Sequence, residues 1–151
     1  MLIPQALGRT VGDNLFHSFL RFRIGSGESA TFLSDATVRH VIGRVTGGSP
    51  TEILGTLRLL SDGGTPSLTL INPAGVVFGA GAAIDVPGAF RAATADYVAF
   101  PDGRFHADPA RTSSFSSAAP EAFGFLGSQR APLVVRDGAV LVTPRGARMA
   151  R

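Results

Sequence analysis

Three histidines, His17, His40 and His106, and four aspartates, Asp85, Asp96, Asp102 and Asp108, are the side chains of this 151-residue sequence best suited to catalysis. Acid–base, nucleophilic or metal chemistry needs such groups in company: a base beside a nucleophile, two carboxylates about a scissile bond, or several ligands at short spacing. The histidines are widely separated and none sits in a ligand cluster. Asp102 precedes a glycine, Asp108 precedes a proline, and Asp96 closes Thr94-Ala95-Asp96 at a strand junction, all places where turn chemistry explains an aspartate. No Asp-Asp or Asp-x-Asp pair occurs, and no Gly-x-Ser-x-Gly elbow, phosphate loop or calcium nonapeptide. Gly79-Ala80-Gly81 follows a strand pattern but leads into another strand, which fails the dinucleotide fingerprint. With no cysteine, thiol catalysis, cysteine-ligated zinc and a disulfide scaffold are excluded. These residues predict no enzyme, no cofactor and no metal site.

Charge narrows the partners. All 14 basic residues are arginine, the net charge is +3, and the arginines are scattered instead of gathered on one element. A nucleic-acid interface concentrates its charge, so none is expected. The tail Arg145-Gly146-Ala147-Arg148-Met149-Ala150-Arg151 comes nearest, and residues 143–151 read as a frayed basic end. No run of about 18 apolar residues is present to form a membrane-spanning helix. The N-terminal stretch Met1-Leu2-Ile3-Pro4 lacks the basic region and long apolar region of a secretory signal.

The elements that must carry these residues are short strands. Hydrophobic content is 44% and charged content 17%, which specifies a folded chain. The 19 glycines and 10 prolines cut the apolar runs into pieces too short for ordinary helices, so the class is all-β. The central stretch, Leu68 to Gly79, holds two alternating runs, Leu68/Leu70 and Val76/Phe78, joined by Asn72-Pro73-Ala74-Gly75. Alternation buries one face of a strand. Asn, Pro and Gly supply a local hydrogen bond, a fixed φ and a positive φ, the parts of a tight corner. A shift of 22 residues carries Leu68 onto Phe90, Leu70 onto Ala92, Val76 onto Val98, Phe78 onto Phe100 and Gly81 onto Gly103. Such a period suits a stacked coil. Ile84 falls on His106, however, and a β-sandwich of short strands satisfies the same alternation.

Around this centre, Asn14 to Phe22 reads as one helical turn or a bent strand plugging an end of the core, with Phe16, Phe19 and Phe22 as a hydrophobic cap. Ser29 to Leu33 reads as a strand. Val38, Val41, Ile42 and Val45 have helical spacing, so a short helical turn is expected there, or else a strand bulged at Gly43. Residues 108–121 form a loop excursion, after which Phe123, Phe125 and Leu126 return to the core. Leu133 to Val142 reads as a final hairpin or rung.

Five motifs occur in one order: Asn14-Leu15-Phe16-His17-Ser18-Phe19, Arg44-Val45-Thr46-Gly47-Gly48, Ile71 to Gly79, Thr94-Ala95-Asp96 and Glu121-Ala122-Phe123-Gly124-Phe125-Leu126. Together, from about residue 8 to 142, they resemble the filamentous-haemagglutinin N-terminal domain, the haemagglutination-activity or two-partner secretion domain of bacterial exoproteins. The resemblance implies a right-handed parallel β-helix with extra-helical capping strands, and one such domain across residues 1–151. It implies a non-catalytic, secreted or cell-surface role: addressing a large adhesin- or haemolysin-like protein to an outer-membrane β-barrel transporter with POTRA domains. The unfolded domain would be taken up there and would seed β-helix folding outside the cell, while the passenger would meet host-cell or surface ligands.

The family motif Asn-Pro-Asn-Gly-Ile matches Asn72, Pro73, Gly75 and Val76, with Ala74 and Val76 as substitutions. These four and Asn14, Phe16, His17 and Phe19 are the candidates for transporter recognition or for folding, and turn chemistry favours folding at the corner. A second family motif, Asn-Pro-Asn-Leu, is missing. Members begin with a signal peptide and continue into a passenger, so this sequence is expected to be a fragment of a longer frame. Two other readings make distinct demands. A carbohydrate-active β-helix enzyme needs Asp85, Asp96 and Asp102 to converge, and a stand-alone binding module needs exposed rings at Phe16 and Phe19.

Overall fold

Alternating apolar residues cut by turns every few positions make short strands, and in the computed structural model these strands stack into a coil. The structure describes residues 1–127, 130–136 and 140–141. The chain opens with β1 (Leu2–Ile3), a 3-10 turn over Gln5–Leu7 and β2 (Arg9–Val11). One coil follows as β3 (Asn14–Phe19), β4 (Arg23–Ile24) and β5 (Ser29–Ser34). The next is β6 (His40–Val45), β7 (Thr51–Ile53) and β8 (Thr56–Ser61). The third is β9 (Ser67–Ile71), β10 (Val76–Phe78) and β11 (Ala83–Asp85). β12 (Phe90–Ala93) begins another coil, which the chain leaves for β13 (Tyr97–Phe100), β14 (Gly103–His106) and β15 (Ala122–Gly124). It rejoins through β16 (Leu133–Val135) and β17 (Val140–Leu141).

Like strands of successive coils pair in parallel and build three faces. The first face runs β3, β6, β9, β12 and is closed by β2, antiparallel to β3. The second runs β4, β7, β10, β16, and the third β1, β5, β8, β11, β17. This is a parallel β-solenoid of about three turns, and its parallel ladders rule out the sandwich.

Register places apolar residue on apolar residue inside the coil. Leu15 lies against Val41, Val41 against Leu68 and Leu68 against Phe90 on the first face. Ile24, Ile53, Phe78 and Val135 form the matching ladder on the second, and Ala30, Leu57 and Ile84 on the third. Leu15, Val41, Leu57, Leu68 and Ile53 are fully buried, and each such side chain contributes roughly 1.5–3 kcal/mol of hydrophobic free energy. A coil alone would leave this core open above and below, so the coils are stable as a stack.

The first face is buried on its outer side too. β13 pairs antiparallel with β14 and β15, and this small sheet covers the first face. Phe16, Ile42 and Ile71 point outward into a second core with Ala95, Val98, Phe100, Phe105 and Ala107. Residues 107 to 121, which link β14 to β15, form no strand.

That double burial explains where sequence periodicity misled. Val38 to Val45 forms no helical turn: His40–Val45 is a strand with Val41 and Val45 inward and Ile42 outward. Apolar residues on both sides imitate helical spacing. Gly43 makes no bulge, since pairing runs unbroken through it to His17 and Leu70. Asn14–Phe19 likewise forms a strand of the first face and no helical turn. The 22-residue shift holds for Leu68 onto Phe90 and Leu70 onto Ala92. It fails for Val76 and Phe78, whose partners are Leu133 and Val135, because β13 has left the coil. Gly81 therefore does not stack on Gly103. Phe123 packs on the second core, but Phe125 and Leu126 are exposed instead of returning to the core. Leu133–Val135 and Val140–Leu141 form parallel rungs, not a hairpin, while residues 137–139 and the tail 143–151 lie outside the described residues.

Close stacking leaves no room for a side chain at Gly55. A Cβ on Gly55 would meet the carbonyl oxygens of Glu28 and Gly25 in the neighbouring coil. Gly55→Ala is expected to lose about 1–3 kcal/mol in urea unfolding, since backbone cannot give way. Gly43→Ala, whose nearest obstacle is the end of the Leu70 side chain at 3.3 Å, should cost clearly less.

Candidate functional site

The corner between β9 and β10 is built by the Asn72 side chain. Its Nδ2 donates to the Ser49 carbonyl at 3.0 Å and to Thr51 Oγ1 at 2.9 Å, in the coil before. Its Oδ1 accepts from the Ala74 N–H at 2.9 Å, and its own N–H donates to Ala93 in the coil after. One asparagine thus ties three successive coils together. Pro73 and Ala74 form the half-buried tip of the turn. Gly75 takes φ of 130°, a value side chains rarely adopt, and its N–H donates back to the Asn72 carbonyl at 3.1 Å. Val76 then enters the core fully buried. Pro73 and Ala74, with Thr46, Asp96, Asp108 and Arg111, border an open groove of about 500 Å³.

The strand Asn14–Phe19 divides its side chains between two jobs. Asn14 and Phe16 point outward. Asn14 Nδ2 donates to the carbonyls of Ser116 and Ala118 at 2.8 and 2.7 Å, clamping the segment that closes over the first face. Phe16 meets the rings of Phe105, Phe115 and Phe100 at centroid distances of 4.9, 5.2 and 5.9 Å. His17 and Phe19 point inward, where both rings lie against Phe32. Asn14 opens β3 and Asn72 follows β9, so the two asparagines sit at opposite ends of one sheet and form no common site.

Three further motifs meet the same small sheet. Arg44 Nε donates to Ser18 Oγ at 2.7 Å, and its Nη1 donates to the His106 carbonyl at 2.7 Å. The guanidinium lies over the Phe105 ring at 4.6 Å, and burial holds its pKa below the ordinary value. Asp96 accepts the Leu126 N–H at 2.7 Å, while its own N–H and carbonyl bond Gly124 and Ala107. Gly124 has no room for a Cβ, which would fall within the Tyr97 ring.

The family model described as the TPS secretion domain matches residues 2–122. The chain belongs to this family. No curated protein and no solved structure matches it significantly. The TPS domain is the secretion-targeting N-terminal domain of two-partner-secreted exoproteins, a non-catalytic domain with a β-helix fold. Membership implies an exported protein and a partner transporter.

The three aspartates that a β-helix enzyme would need have structural partners in this TPS domain. Asp85 bridges Arg58 at 2.9 Å across neighbouring coils. Asp96 and Asp102 flank β13 at its two ends, and Asp102 accepts from Ser116 Oγ at 2.6 Å. They do not converge. Among the described residues no group of three His or acidic side chains is placed to hold a metal ion, and no helix is long and apolar enough to cross a membrane.

Sequence reasoning missed Arg44 and Thr51 as working residues. Arg44 carried a signal, since a charge in an otherwise apolar strand must find partners. Thr51 carried none, because its role depends on Asn72 arriving from the next coil. Asn72→Asp removes both donations and sets a carboxylate against the Ser49 carbonyl, so a loss of about 1–3 kcal/mol or more is expected in urea unfolding. Asn14→Ala should lose a similar amount, about 1–3 kcal/mol, by freeing two carbonyls, and the losses should add because the residues share no partner.

Proposed function

We propose that this TPS domain addresses an adhesin- or haemolysin-like exoprotein to an outer-membrane β-barrel transporter, whose POTRA domains take up the chain unfolded. Outside, it folds and seeds the β-helix of the passenger, which reaches the cell surface or medium and there meets its host-cell or surface ligands. The observation that carries this reading is the burial of the family motifs. Asn14, Phe16, His17, Asn72, Gly75 and Val76 are all engaged inside the fold, where no partner reaches them. A partner that distinguishes these residues therefore meets them in the extended chain. Such a chain can add to a POTRA sheet edge by backbone hydrogen bonding, with alternate side chains supplying selectivity.

Seeding has a physical basis as well. β12, β16 and β17 each lie at the end of their sheet among the described residues, so a following coil has three parallel edges to extend. On this view Asn72, Pro73, Gly75 and Val76 act first as a folding corner, and Asn14, Phe16, His17 and Phe19 as the first rung. Phe16 is buried and Phe19 half-buried, packed on the inner core, which leaves no platform of exposed rings for a stand-alone binding module.

The test is co-expression with a cognate POTRA-barrel transporter, with a periplasmic signal fused before Met1. Product in the medium should depend on the transporter, and equal release without it would overturn the reading. Asn72→Asp separates folding from recognition: a folding corner predicts a variant that still binds a POTRA fragment but is protease-sensitive once released. Lost POTRA binding with normal protease resistance would assign Asn72 to recognition instead.

A further inference from the structure

The inner side of β3 carries one residue that does not belong in an apolar core. Leu15, His17 and Phe19 alternate inward, and His17 pairs in register with Gly43. The imidazole is 3% exposed. It stacks on Phe19 at a centroid distance of 5.9 Å and meets Phe32 edge-on at 5.4 Å. Gly8 closes over it, leaving so little room that a Cβ there would lie 2.8 Å from His17 Cε1. Its Nε2 is buried with no hydrogen-bond partner among the described residues.

Among the described residues no charged group from the surrounding elements offsets a proton on this ring. On β2, Arg9 leans over Phe115 on the outer side, and on β6, Arg44 leans over Phe105. After β5, Asp35 is exposed and bonded to Thr37. Arg23 on β4 pairs with Glu52 outside the coil. A second proton on His17 would therefore bury an uncompensated charge among phenyl rings, which folded proteins avoid by keeping the group neutral or by unfolding.

We propose that His17 couples folding of this TPS domain to pH, so that mild acid holds the chain in the unfolded form its transporter takes up and neutral pH lets it close. The link to transport rests on the reading above that uptake requires the unfolded chain. Burial holds the His17 imidazole below its ordinary value of 6.5. The unfolded chain thus takes the extra proton first as pH falls. Stability is full above about 6.5 and declines as pH drops from there toward the lower folded value.

His40 and His106 act in the same direction. Each has a buried Nδ1 without a partner among the described residues, and burial is the first cause lowering each. Arg91 and Arg39 add to the effect at His40 against Asp13. Arg111, Arg104 and Arg44 add to it at His106 against Asp108.

Urea unfolding of the whole chain between about pH 5 and pH 8 should show the folding constant falling by up to about tenfold per pH unit for each histidine kept neutral. His17→Gln should remove its share of that slope, and an unchanged slope would overturn the assignment to His17. A variant too unstable to measure does not block the test, because proton NMR titration of His17 in the unaltered chain reads the same quantity. A folded-state midpoint below 6.5 is expected, and one at or above it overturns the proposal. Binding of a POTRA fragment of the cognate transporter, measured by calorimetry at about pH 5.5 and 7.5, reads the link to transport. Tighter binding in acid that His17→Gln levels out is expected. Equal binding at both pH values would overturn the link while leaving proton-coupled folding in place. Absence of binding at both would count against the transporter reading itself.

Discussion

Everything in this domain depends on side chains stacking over their counterparts one coil away. The ladder Leu15, Val41, Leu68, Phe90 shows the constraint plainly, because its members stack in register from coil to coil inside the core that all three faces share. A single coil has no inside of its own. Backbone pairing between coils and apolar burial within them therefore form together, and a partly extended chain holds little of either. Short stretches of the chain therefore have little to collapse onto until the next coil is in place.

The covering sheet turns this general property into a specific lock. Asn14 reaches carbonyls 102 and 104 residues later in the chain, and Arg44 reaches the His106 carbonyl 62 residues later. Four of the five sequence motifs meet at the contact between the first face and this sheet, while Asn72 joins three coils from within. Contacts spanning such long loops are entropically late. The motifs that mark the domain are accordingly the ones that cannot all be satisfied until nearly the whole domain is present.

This view also accounts for the chemistry that the chain lacks. Asp85 pairs with arginine, Asp102 holds Ser116 and Asp96 ties strands, while His17 and His106 are buried. In an enzyme, perturbed histidines would face a substrate cleft. Here His17 and His106 lie inside the packing itself and His40 is half-buried beside it.

The all-β class, the corner at Asn72-Pro73-Ala74-Gly75 and the order of the five motifs were legible in the residues themselves, because turn formation and alternation are local and leave local marks. The resemblance of those motifs to a known family supplied the β-helix. What the sequence left open were matters decided by faces. Helical spacing at Val38 to Val45 and the apparent rung at Val76 to Phe100 both misled, since a strand buried on two sides and a strand in a separate sheet carry the same apolar letters as a helix or a coil. Which of Asn14, Phe16, His17 and Phe19 turn inward, and which reach out to a segment a hundred residues away, was settled only by the tertiary structure. Alternation along a strand says that neighbours differ in direction, and only the stacked fold says which direction is inside.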